Sequence, residues 1–159
     1  PTPAPEPPVP RSPTMRDYKK ILLAVDITEG SEKIAERARD IAARYNAEII
    51  LLHVVEYVPV EPMGEALLPA VQLEGELVER ATRRIAELAA KTGLEKAERI
   101  VHAGNIKAEL VRIAQERGVD LIVLGSRERH GLSIMFNQTE DTVLHTAPCD
   151  VLAVRWTRS

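Results

Sequence analysis

Aromatic side chains are nearly missing from this chain: Phe, Trp and Tyr make up 3% of its 159 residues, so its core must be aliphatic. Cysteine is reduced to Cys149, which excludes an internal disulfide and a cysteine-based metal site, as suits a reducing compartment. No apolar run approaches the roughly 20 residues needed to cross a bilayer, and no signal-peptide pattern is present. The cytoplasm is therefore the expected location, with no membrane partner. Positive charge is not in excess either. Lys and Arg number 21 against 24 Asp and Glu, a net charge of −3 that offers no broad field for nucleic-acid phosphates.

What is present is the composition of one ordinary globular domain, 45% apolar and 28% charged. Residues 1–15 stand apart. Seven prolines (Pro1, Pro3, Pro5, Pro7, Pro8, Pro10 and Pro13) alternate with small polar residues, a composition that favours extended, solvated chain. This stretch is expected to be a disordered tail or linker, and Met15 directly precedes the folded pattern of residues 16–159. An expression remnant, a processed leader, an interdomain linker and a ligand for a proline-recognising domain all remain open for it.

From Lys20 onward short apolar runs alternate with helical patterns. Ile21–Val25, ending at Asp26, reads as a strand buried on both faces. Ser31 is expected to cap a helix in which Ile34, Ala38, Ile41, Ala42 and Tyr45 share one face. Ala47–Val55 is a second buried strand, and a long helix over roughly Val71–Thr92 stops at Gly93. Ala97–Ala103 and Leu121–Leu124 are further strands, with a helix between Asn105 and Gly118. A last helix around Thr139–His145 leads into a final strand, Asp150–Arg155. Such alternation predicts an α/β fold, a parallel sheet with helices on both faces and right-handed crossovers.

Ligands of such sheets sit at the carboxyl ends of the strands. This directs attention to the loop after Val25, the segment after His53 and the loop after Leu124. The last reads Gly125-Ser126-Arg127-Glu128-Arg129-His130-Gly131, with Asn137-Gln138-Thr139 opening the final helix. A glycine and small polar residues ahead of a helix present backbone N–H groups to an anion, although any strand-to-helix turn favours the same residues. Asp26 fits a ribose hydroxyl, a hydrated magnesium ion or a plain turn equally well. His130, once protonated, fits an anion; His53, His102 and His145 read as packed or surface histidines, and Cys149 as an inert thiol. No nucleophile elbow, Walker lysine loop, carboxylate pair or zinc spacing is visible, so no catalytic or metal-ligating residue is assigned.

Taken in order, KKILLAVD, IILLHVV, GVDLIVLGSRERHGLS and VLHTAPCDVLAVR resemble the universal stress proteins over roughly Lys19 to Arg155. The resemblance implies an open five-stranded parallel sheet of order 3-2-1-4-5, of the adenine-nucleotide alpha-hydrolase-like type. It also implies a homodimer paired through the last strand (Val151, Ala153, Arg155). An adenine nucleotide, AMP or ATP, is implied at the strand ends, with magnesium only beside a polyphosphate. By position, Val25 and Asp26 fall near the adenosine, Val54 and Val55 along the adenine, and Gly125, Ser126, Arg127, Arg129, His130, Gly131, Asn137, Gln138 and Thr139 along the phosphate loop.

That loop departs from the family pattern. Glu128 stands at the second glycine, and Asn137 and Gln138 stand in place of the third glycine and its hydroxyl neighbour. A carboxylate about 4 Å from a phosphate is repelled by roughly 4 kcal/mol per unit charge at an effective dielectric of ~20. If Glu128 pairs with Arg127 or Arg129, those arginines are left to hold an anion through side chains. The expectation is a binding and regulatory protein that takes AMP, or ATP weakly. The alternatives are a dimeric regulator that binds no nucleotide, and a slow ATPase or self-phosphorylating enzyme using Ser126, Ser133 or Thr139.

Overall fold

The computed structural model describes residues 2–5, 17–28, 30–56, 67–127, 143 and 145–156. Its elements follow in the order β1 (Lys20–Ala24), α1 (Ser31–Tyr45), β2 (Glu48–Val55), α2 (Leu67–Thr92), β3 (Glu98–Ala103), α3 (Ile106–Glu116), β4 (Leu121–Arg127) and β5 (Asp150–Trp156). The five strands form one parallel sheet of order β3-β2-β1-β4-β5. The expected α/β fold and strand order are both present. Of the last expected helix, Val143, His145 and Thr146 are helical.

The continuous apolar runs mean that both faces of the sheet are covered. Leu23, Leu51 and Val123 lie in one core beneath Ala35, Ala38 and Ala42 of α1 and Ile85 and Ala89 of α2. Their neighbours Leu22, Ile50 and Ile122 lie in the other, against Leu110, Ile113 and Ala114 of α3 and Val143. Successive side chains of a strand point to opposite faces, so each central strand feeds both cores in turn. The buried face of α1 is alanine, which lets the helix approach the sheet closely.

The amino ends of the strands are closed by polar ties. The Asp120 carboxylate accepts hydrogen bonds from the backbone N–H groups of Lys19 (2.9 Å) and Lys20 (3.0 Å), joining the starts of β1 and β4. The Tyr18 hydroxyl donates to the Asp150 carboxylate at 2.8 Å and its ring meets that of Tyr45 edge-on.

On the outer edge of β3, Glu109 of α3 joins Arg112 (2.6 Å) and His102 (3.1 Å), and Arg112 also reaches Glu116 at 3.0 Å. The Arg112 guanidinium, with His102 adding to it, holds the Glu109 carboxyl below its usual range against the opposing effect of partial burial. A carboxyl whose pKa is lower folded than unfolded contributes stability above its unfolded value, lost as pH falls through the folded one. Glu109→Gln should therefore lower stability at pH 7 by less than about 1 kcal/mol. The difference from wild type should vanish under acid conditions, as read by urea unfolding at a series of pH values.

Candidate functional site at the carboxyl ends of β1 and β4

The strand order reverses between β1 and β4, and parallel sheets of this kind take their ligands at the carboxyl ends of the strands that flank such a reversal. β1 ends at Ala24, whereas β4 runs on to Arg127, paired with β5 as far as Arg127 against Trp156. Ile21 pairs with Leu121 and Leu23 with Val123. The same register carried two residues further brings Val25 level with Gly125. The end of β4 therefore lies beside the turn that follows Val25.

This corrects the expected layout. Gly125, Ser126 and Arg127 belong to the strand and not to a loop after Leu124, because β5 continues the ladder beside them with Val154, Arg155 and Trp156. Arg129, His130, Gly131, Asn137, Gln138 and Thr139, together with Glu128 and Ser133, lie outside the described residues.

Val25 is buried; its N–H donates to the Leu52 carbonyl at 2.8 Å, and its carbonyl receives the Nδ1–H of His53 at 2.7 Å. A carbonyl only accepts, so Nδ1 carries the hydrogen of this contact. His53 thus ties the ends of β1 and β2 together, a role that the sequence pattern did not reveal. Val54 and Val55 are buried at the end of β2, and the Val55 carbonyl accepts from Gly104 N–H at 3.0 Å.

Asp26 is exposed just beyond Val25, and its backbone carbonyl anchors the turn. That oxygen accepts the Thr28 N–H at 2.7 Å and the Ser31 hydroxyl, while the Ser31 oxygen in turn accepts from Thr28 N–H at 3.1 Å. Ser31 is therefore not the helix cap that the pattern suggested. Gly30 occupies the N-cap at φ 96° with no side-chain hydrogen bond, and Ser31 is the first helical residue, turned back to lock the Asp26 turn. The start of α3 is different: Asn105 accepts from Ala108 N–H at 3.0 Å and Glu56 from Ile106 N–H at 3.2 Å. Between the two helices, the α1 N-terminus is the one without side-chain acceptors of this kind, and it faces the Asp26 turn.

Gly125 has a packing reason of its own. A Cβ there would lie 2.2 Å from Cδ1 of Ile34, in the first turn of α1. Gly125→Ala should cost under about 1 kcal/mol, because the atom in the way is the end of a flexible side chain that can turn aside. Ile34→Val, which removes that Cδ1, should recover part of the loss, and a double-mutant cycle by thermal unfolding reads the coupling.

Among the described residues no group of three His, Cys, Asp or Glu could hold a metal ion. Burial pushes the Cys149 thiol up, away from the thiolate form a nucleophile needs. Among the same residues no helix is long and apolar enough to cross a membrane.

The sequence profile described as the universal stress protein family matches residues 17–155. Universal stress protein A homolog 2 of Coxiella burnetii is 36% identical over 142 residues, which cover 89% of this chain and 97% of that protein. Universal stress protein UspA from Lactobacillus plantarum is similar in structure, with a TM-score of 0.69 at 26% identity over 89% of this chain and 100% of that one. A universal stress protein crystallised in complex with cAMP matches at a TM-score of 0.59 and 25% identity, covering 89% of this chain and 100% of that chain.

Proposed function

Because this chain belongs to the universal stress protein family, we propose that it is a cytoplasmic stress-response regulator that binds an adenine nucleotide, AMP or weakly ATP, without catalysing its turnover. The observation that carries this reading is the reversal of strand order between β1 and β4, which sets the Asp26 turn beside the end of β4 where sheets of this kind bind ligands. In this reading Val25, Asp26, Val54 and Val55 meet the nucleoside. Gly125, Ser126, Arg127, Arg129, His130, Gly131, Asn137, Gln138 and Thr139 meet the phosphate. The complex of a relative with cAMP supports a nucleotide of this class.

β5 is the sheet edge, with Leu152, Ala153 and Arg155 exposed along it. An edge strand invites a second strand, and an isologous pair uses the same edge twice, so the proposed assembly is a homodimer through Val151, Ala153 and Arg155. A second reading, a dimeric regulator that binds no nucleotide, is favoured by Glu128, Asn137 and Gln138, which stand where the family's phosphate loop has glycines and a hydroxyl.

Calorimetric titration with adenosine, AMP and ATP separates the two. The nucleotide reading expects AMP to bind more tightly than ATP, and Glu128→Gly to tighten ATP by at least about tenfold by removing a repulsive carboxylate. Absence of binding in wild type and variant alike leaves the nucleotide-free regulator.

A further inference from the structure

Trp156 is the only tryptophan of the chain and the last residue of β5. Its half-buried indole rests on Gly30 so closely that a Cβ on that glycine would lie 2.5 Å from Cδ2 and 2.6 Å from Cε2. The contact is therefore between a flat ring and bare backbone. Gly30 in turn starts α1: its carbonyl accepts the Ile34 N–H at 3.1 Å, and it directly precedes Ser31, whose hydroxyl locks the Asp26 turn. A ring that fixes Gly30 fixes both the start of α1 and the turn that presents Asp26.

Resting on the nucleotide reading above, we infer that Trp156 is a positioning residue of this site, holding the Asp26–Ile34 turn in binding geometry from the outer strand of the sheet. Simple burial would be served by any large apolar side chain, whereas bracing a glycine needs a flat face. Phenylalanine keeps such a face and leucine does not. Displacing a site wall by a fraction of an ångström weakens the ligand contacts even when the fold survives.

The test uses the full chain with AMP as probe. Trp156→Phe should bind AMP within about threefold of wild type, and Trp156→Leu about tenfold more weakly, with a cooperative thermal transition retained in both. Saturating AMP should also shift the tryptophan emission of the wild-type protein. Equal AMP affinity in wild type and Trp156→Leu overturns the inference, as does unchanged emission on saturation. Should Trp156→Leu fail to fold, the emission and the Phe variant decide, and a tenfold loss in the Phe variant counts against a bracing ring. Failure of the wild-type protein to bind AMP removes the nucleotide reading itself, and this inference with it.

Discussion

Leu22→Ala and Leu23→Ala should each lower stability by about 3 kcal/mol, a fall in melting temperature on the order of 10 °C. The two residues are consecutive, at 0% and 1% exposure, and they belong to opposite cores. Leu22 packs toward α3 and Leu23 toward α1 and α2, so each truncation leaves its cavity on a different side of the sheet. In a sheet with one solvated face, one of two neighbours would tolerate the change. Leu152 sets the contrast: on edge strand β5 and 37% exposed, its replacement by alanine should cost under about 1 kcal/mol in the monomer. Urea unfolding of the three variants measures this. A large loss at Leu22 with none at Leu23 would contradict the doubly covered sheet.

Gly30→Ala is expected to be at least as damaging. Two penalties meet at this residue. Its φ of 96° lies where a Cβ meets the backbone, a strain of roughly 1–2 kcal/mol. The added carbon would also lie 2.5 Å from the indole of Trp156. The atoms involved are at the centre of the ring and not at the tip of a flexible chain, so the ring or the helix start has to move, at about 1–3 kcal/mol more. In a Trp156→Ala background only the backbone strain remains, and Gly30→Ala should then cost about half as much. Equal costs in both backgrounds would mean that the indole does not press on the glycine.

The architecture was legible because the aliphatic runs around Leu22, Leu51 and Ile122 are short, unbroken and separated by helical periods, a pattern that only a parallel sheet covered on both faces satisfies. The edge position of the last strand came from the resemblance, since alternation alone sets no strand order. The ends of elements were less legible. The helix start was assigned to Ser31 because serine is a strong cap, yet the glycine before it takes the cap in a left-handed conformation and frees the hydroxyl for Asp26. β4 outruns its apolar run because hydrogen bonding to β5 extends a strand through Gly125, Ser126 and Arg127 without any hydrophobic signal. Contacts between residues distant in the chain, such as Trp156 on Gly30, Ile34 on Gly125 and His53 on the Val25 carbonyl, leave no periodic trace.

The site's location is tested most directly by titrating the isotopically labelled protein with AMP and following backbone amide shifts by NMR. The account predicts saturable shifts at Val25, Asp26, His53, Val54, Val55 and Gly125, with Tyr18, Tyr45 and Asp150 at the opposite end of the sheet unmoved. Shifts confined to that opposite end, or none at saturating AMP, would contradict it.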